Sequence, residues 1–181
     1  ETLRTEFDCY KKLPFTPIAT NEIELPLEVK MAIGMPDMYQ IHPVRFTDEL
    51  VKLAVKAGVT IHTNTRVVKI VPSKKTVISS NQSEIQCKHL LLCTHYPIDS
   101  IKNLYTVKLK VSRSYLAAVP TFDLLNNHYY NIDNPARTIR TALIGSRPYL
   151  IYGGGTHFAG TVRETKPYYE ALQDELKTVF Q

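Results

Sequence analysis

Apolar residues recur at helical spacing in three stretches of the chain, and each stretch predicts an amphipathic helix. The first is TLRTEFDCYKKL, which stops at a proline. The second, RFTDELVKLAVKAG, has Thr47 as its candidate N-cap, acidic residues in the next two positions and Gly58 at its end. The third, RETKPYYEALQDELKTVF, places Tyr169, Leu172 and Leu176 along one face.

Strand-like patterns occupy most of the remaining sequence. Prolines at positions 17, 26, 36 and 43 predict extended chain with short strands between the first two helices. After the second helix, the runs RVVKIVPS, KTVISSN and EIQCKHLLLCTH are separated by polar turns and predict an antiparallel three-stranded meander. The apolar LLLC within the last run is predicted to be a strand buried on both faces, with Cys87 and Cys93 as buried structural thiols.

The segment VTIHT follows Gly58 after almost no loop and is predicted to be a strand. Helix, glycine and short strand form the second half of a βαβ unit, which implies a parallel sheet. The sequence contains no upstream strand with a glycine-rich turn to complete such a unit.

Four further strands are predicted in the second half of the chain. TVKLKVSRSYLAAVP alternates around Val107, Leu109 and Val111, and HYYNID, ARTIRTALIG and PYLIYGG follow it. Helices and strands together predict an α/β protein with α+β character, in which a mixed, largely antiparallel sheet accompanies the meander.

Composition narrows the classes of function. The chain has 181 residues, 44% of them hydrophobic, and its net charge of +5 comes from scattered lysines and arginines. No basic stripe with interleaved aromatics is present, so nucleic acid is not expected as a partner. Three cysteines without CxxC spacing favour a reducing, cytoplasmic location. The histidine spacing predicts no metal site, and no apolar run approaches the roughly 20 residues that span a membrane.

Four runs occur in the order MPDMYQIHPVRFTDELVKLAVKAGVTIHTNTRVVKI, HLLLCTHYP, KVSRSYLAAV and YLIYGGGTHFAG, and together they cover most of residues 20–162. They resemble segments of the flavin-dependent oxidoreductases of the D-amino-acid oxidase and glycine oxidase type. The resemblance implies that residues 1–41 and 101–152 belong to a substrate domain and residues 42–100 to a partial FAD-binding domain. Residues 153–181 are expected to return toward the FAD-binding domain and to form the terminal helix.

The resemblance also implies a reaction. Family members transfer a hydride from the α-carbon of a small amine or amino acid to FAD, which they bind through an N-terminal GxGxxG. That spacing is absent among the seven glycines of this chain. The chain is therefore expected to be the central fragment of such an enzyme and, in isolation, to lack FAD and activity. The alternative is a non-catalytic binding or scaffolding module that retains the sheet but lacks the cofactor.

Substrate contacts are expected on the strands of the substrate domain. An arginine fork suits a carboxylate because it donates two parallel hydrogen bonds, and Arg140 occupies a stretch similar to the one that carries this residue in the family. Tyr130 is a second candidate, and because it alternates with Tyr129, only one of the two can face the site. Arg113 and Tyr115, which share a strand face, complete the predicted set. No catalytic residue is assigned.

The resemblance assigns cofactor contacts to seven residues. They are His42, Val67, Val68, Thr94, Gly153, Gly154 and His157. From the residues alone, His42 is equally a hydrogen-bonding residue at a helix start, and Val67 and Val68 equally pack in a core. In GGGTHFAG, the glycines either admit a close approach of backbone or flavin, or form a bend in which His157 bonds a nearby carbonyl. A phosphate cradle is disfavoured because several residues separate the glycines from the next helix.

Overall fold

The computed structural model describes residues 2–74, 76–79, 81–96, 98 and 108–180. Its helices are α1 (Thr2–Tyr10), α2 (Pro43–Lys56) and α3 (Lys166–Phe180). Its strands are β1 (Ile18–Thr20), β2 (Ala32–Gly34), β3 (Val67–Val71), β4 (Thr76–Ser79), β5 (Glu84–Gln86), β6 (Ser112–Pro120), β7 (Tyr129–Tyr130), β8 (Arg137–Ile144) and β9 (Arg147–Phe158). Contacts divide the chain into two compact units, Glu1–Met38 with Val111–Gln181 and Tyr39–Lys110. The predicted α/β class with largely antiparallel sheets is confirmed.

The larger unit is built on a four-stranded antiparallel sheet with the strand order β6-β9-β8-β7. Side chains alternate between its two faces, and one face packs against α3. The core lies on this covered face. Its buried members are Leu25, Tyr115, Ile139, Leu150, Tyr152, Leu172 and Leu176.

The N-terminal segment packs onto this unit without joining its sheet. β1 and β2 pair with each other as a separate antiparallel ribbon, and Leu25 enters the core. The Glu24 carboxylate accepts hydrogen bonds from Asn126 Nδ2 at 2.7 Å and the Tyr129 hydroxyl at 3.1 Å. Among the described residues, the N-terminal segment therefore adds no strand to the larger sheet, although both belong to the same unit.

The smaller unit contains α2 and the predicted meander, which is confirmed as antiparallel β3-β4-β5. α2 ends in a Schellman motif around Gly58, whose φ is +90°: its N–H donates to Val55 O, and Val59 N–H donates to Ala54 O. No side chain of α2 is buried.

The start of α2 differs from the prediction. His42 is the N-cap, with its Nδ1 accepting from Arg45 N–H at 3.4 Å, and Pro43 occupies the first turn. Thr47, the predicted cap, lies inside the helix, where its hydroxyl donates to Pro43 O at 2.8 Å. The helix extends upstream because proline at the first helical position needs no N–H partner and already has a helical φ.

Two predicted strands of the smaller unit are not formed. VTIHT and LLLC have no regular structure, and Val59 and Leu91 expose 52% and 86% of their surface. A strand needs a partner for its backbone groups, and no described strand pairs with either run, so the expected parallel sheet is absent from the described residues. The two thiols predicted to be buried are likewise not: Cys93 is exposed and Cys87 half-buried.

The strand boundaries of the larger unit also shift. β6 begins at Ser112, after the exposed Leu109 and Val111, while Val107 lies outside the described residues. β9 continues through the three glycines to Phe158, and α3 packs on the same sheet. β9 therefore runs across residue 153, where the expected return toward the FAD-binding domain begins.

Candidate functional site

The glycine run Gly153–Gly155 lies within β9 and is buried or half-buried. At its end, Gly155 and Thr156 together face Ser114 of β6, where the register of the two strands shifts. Gly155 has a φ of +67°, the left-handed conformation that a bulge of this kind requires. A Cβ at this residue would lie 2.9 Å from Cδ1 of Tyr168, so α3 occupies the space that the missing side chain leaves.

The other two glycines face opposite sides of the sheet. A Cβ on Gly153 would collide with the side chains of Thr138 and Leu116, which lie on the exposed face. A Cβ on Gly154 would lie 2.7 Å from Nη1 of Arg137, on the face that α3 covers. Protein side chains therefore occupy the space beside these glycines, so the space that a ligand would need is filled.

Arg137 fills the space beside Gly154 because Glu175 of α3 holds it there. Arg137 donates to the Glu175 carboxylate through Nε at 2.6 Å and through Nη2 at 2.5 Å, and the Tyr152 hydroxyl donates to the same carboxylate at 2.9 Å. The hydrogen bond from Arg137 is the main cause that lowers the pKa of Glu175. Burial, followed by the hydrogen bond to Glu175, raises the pKa of Tyr152 to about 12. The three side chains clamp α3 to the sheet.

His157 also faces protein groups. Its Nδ1 lies 2.9 Å from the carbonyl of Phe158, which can only accept, so Nδ1 carries a hydrogen. In the neutral ring Nε2 then accepts from the Tyr115 hydroxyl at 2.8 Å. Tyr115 in turn stacks on Tyr168, with ring centroids 4.9 Å apart. His157 thus bonds a nearby carbonyl, as in the second alternative that the sequence allowed. The residues around it form a continuous strand, however, and not a bend.

The uncovered face of the larger sheet carries two of the predicted substrate residues. Arg140 is half-buried there, next to Ile151 of β9, while its neighbours Ile139 and Thr141 point into the core. Tyr130 lies on the same exposed face, with 68% of its surface accessible. Within the described part of the chain, no carboxylate oxygen comes within 4.0 Å of an Arg140 nitrogen.

His128 also belongs to this face, and it is not among the residues predicted to bind substrate. The pairs of β7 with β8 are Tyr129 with Ile139 and Tyr130 with Thr138, and His128 and Arg140 are the residues next to the first of these pairs. Partial burial and, second, the charge of Arg140 lower the pKa of His128 from its ordinary value of 6.5. The available signal was its spacing of two from Tyr130, which places both residues on one strand face.

The remaining two substrate candidates do not join Arg140. Tyr115 is buried on the covered face, where its strand partner is Gly154, and only 3% of its surface is exposed. Arg113 is exposed near the start of β6, opposite His157. Of the predicted set, Arg140 and Tyr130 thus share one face of the sheet.

The predicted cofactor residues are divided between the two units. Gly153, Gly154 and His157 lie in the larger unit, as described above. The other four lie in the smaller unit: His42 caps α2, Val67 and Val68 stand in β3 half-buried and exposed, respectively, and the Thr94 hydroxyl donates to Tyr96 O at 2.8 Å. The described residues contain no group of three or more histidine, cysteine or acidic side chains that could hold a metal ion. In the same residues, no helix is long and apolar enough to cross a bilayer.

Comparison with known proteins points to one family. The model of the FAD dependent oxidoreductase (DAO) family matches residues 7–181. A protein of Bacillus subtilis (strain 168) named "Putative Rieske 2Fe-2S iron-sulfur protein YhfW" is 24% identical over 175 residues. The alignment covers 96% of this chain and 34% of that protein, so the chain spans about a third of the relative's length. No solved structure matches significantly.

Proposed function

Because this chain belongs to the FAD dependent oxidoreductase family, we propose that it forms the substrate-binding part of a flavoprotein that oxidises a small amine or amino acid. In the whole protein, FAD would take up the hydride that leaves the α-carbon of the substrate. The observation that carries the proposal is the position of Arg140 on the uncovered face of a sheet inside the family match.

Arg140 suits the role of an anchor for the substrate carboxylate. The Arg140 guanidinium is half-buried and has no carboxylate of the described residues beside it, so it is available to pair with an anion. Such a pair offsets the cost of removing the charge from water. Tyr130 on the same face adds a hydroxyl that can donate to a bound carboxylate. Ile151 beside Arg140 gives the face an apolar surface for the rest of the substrate.

The described residues do not fit the pyrophosphate of FAD. A dinucleotide needs backbone N–H groups and bare glycines at a helix N-terminus. Here the consecutive glycines lie inside a strand, and Arg137, Thr138 and Tyr168 occupy the space beside them. We therefore assign this chain the substrate side of the reaction, and place the pyrophosphate contacts of the cofactor elsewhere in the whole protein.

The test is a kinetic comparison in the flavin-loaded, full-length protein that contains this chain. Arg140→Met should lower kcat/KM for amino acids by about 30- to 1000-fold, which corresponds to roughly 2–4 kcal/mol for the loss of a charged pair. Simple amines without a carboxylate should be oxidised as before, because they never used the anchor. Arg147→Met, which removes an exposed arginine of the same sheet, is the matched control and should change neither rate.

Two results would contradict the proposal. Equal losses for amino acids and simple amines would make Arg140 a structural residue. A full-length protein that reduces its flavin with neither substrate type would favour the non-catalytic module instead.

A further inference from the structure

We propose that His128 and Arg140 act as one carboxylate-recognition pair, in which binding of an anionic group loads a proton onto His128. The inference rests on the proposed function, because it specifies how the same sheet face recognises the substrate. It adds a second residue to the site and predicts a link between substrate affinity and pH.

The strand register supplies the geometry. β7 and β8 are antiparallel, and Tyr129 pairs with Ile139; His128 directly precedes Tyr129 and Arg140 directly follows Ile139, so both residues adjoin the last pair of the ladder. The alternation of side chains turns both toward the uncovered face. Side chains of directly opposed residues have Cβ atoms about 4.5–5.5 Å apart. A carboxylate bound to the Arg140 fork therefore lies within reach of the His128 ring.

The electrostatics of the pair are unfavourable without an anion. Partial burial disfavours the charged form of His128, and the positive charge of Arg140 disfavours it further. Arg140 is the charged group of the described residues that acts on this ring, and Tyr130 is the other titratable side chain on the same strand face. Like charges opposite each other destabilise a sheet, so the protonated form of His128 is disfavoured in the unliganded protein.

A bound carboxylate reverses this balance. Its negative charge cancels the repulsion from Arg140 and offers a hydrogen-bond acceptor to the protonated ring, so the pKa of His128 rises on binding. Between the two pKa values, binding takes up a proton. By linkage, affinity for the anion is high below the pKa of the unliganded protein and falls as pH increases through the pKa of the complex.

The experiment uses acetate as the carboxylate probe and acetamide as its uncharged counterpart, with the flavin-loaded full-length protein. Calorimetric titrations between pH 5 and 8, in buffers with different ionisation enthalpies, measure both the dissociation constant and the protons taken up. We expect uptake of up to about half a proton for each acetate and a dissociation constant that rises about tenfold across the range, equivalent to about one pKa unit of coupling. Acetamide should bind without proton uptake.

His128→Gln tests the assignment to this residue. The variant should bind acetate without proton uptake and with the weak affinity that the wild type has at high pH. His62→Gln, which removes an exposed histidine of the smaller unit, should behave as the wild type. The measurement of proton uptake in the wild type tests the inference by itself, so the inference stays testable even if His128→Gln fails to fold.

The outcomes separate this inference from the proposed function. If Arg140→Met loses acetate binding but the wild type takes up no proton when it binds acetate, the proposed role of His128 is wrong. The proposed oxidation of amines or amino acids is not affected by that result. Absence of any acetate binding also overturns the pair. Proton-linked acetate binding in a protein that oxidises no amine supports the pair and overturns the proposed function.

Discussion

At the scale of single residues, Gly155 and Gly160 separate two costs of adding a side chain. Both have left-handed backbone angles, with φ of +67° and +85°. A Cβ on Gly160 would meet nothing within 4 Å, whereas one on Gly155 would lie 2.9 Å from Tyr168 and 3.3 Å from Tyr115. A side chain at Gly155 would therefore conflict with both the backbone conformation and the packing, whereas a side chain at Gly160 would conflict with the backbone conformation alone.

Gly155→Ala should therefore destabilise the protein more than Gly160→Ala. We expect a loss of about 1 kcal/mol in the free energy of unfolding for Gly160→Ala, from the left-handed conformation alone. Crowding against the two tyrosines should increase the loss for Gly155→Ala to about 2–4 kcal/mol. Urea denaturation followed by circular dichroism measures both, and equal losses would show that α3 does not press on the bulge.

At the scale of elements, one ion pair with a tyrosine beside it joins α3 to the sheet, in addition to the apolar core between them. Arg137 is almost covered, with 10% of its side chain exposed, while Glu175 remains 35% exposed. Glu175→Gln leaves the covered guanidinium of Arg137 without its negatively charged partner. Glu175→Gln should lower the free energy of unfolding by about 1–2 kcal/mol, a range that allows for the solvent that reaches Glu175. Glu170→Gln on the same helix breaks only the exposed pair with Lys166 and should cost less than about 0.5 kcal/mol.

The same pair predicts a pH dependence. The pKa of Glu175 is lowered in the folded protein from its ordinary value of 4.5, so its contribution to stability is present above that value. The contribution is lost as pH falls through the lower, folded-state pKa. Denaturation at a series of pH values should show the difference between wild type and Glu175→Gln shrinking below about pH 4.5. A difference that stays constant down to pH 2 would mean that the charge of Glu175 contributes nothing.

At the scale of the whole molecule, the two units carry the predicted cofactor residues separately, and neither offers a pyrophosphate cradle among the described residues. We expect the purified 181-residue chain to be colourless after gel filtration in the presence of FAD. The flavin absorption band of the eluted protein measures this directly, with a known FAD-binding oxidoreductase as the positive control. A yellow chain with bound flavin would show that residues of these two units hold the dinucleotide by themselves.

Local periodicity determined much of this protein from its sequence. The three helices, the meander and the alternation that turns Arg140 away from Ile139 all follow from spacings of 3.6 or 2 residues, which neighbouring residues impose on each other. The family resemblance likewise depended on short runs that keep their order, and the family match confirmed it.

Only the tertiary structure decided which groups meet across long separations. Arg137 and Glu175 are 38 residues apart, and His128 comes near enough to Arg140 for that charge to lower its pKa because β7 and β8 pair in this register. The runs VTIHT and LLLC show the converse case, in which a strand predicted from the sequence does not form. Their composition favours strands, yet a strand forms only where another segment satisfies its backbone hydrogen bonds, and that depends on the arrangement of the chain in space.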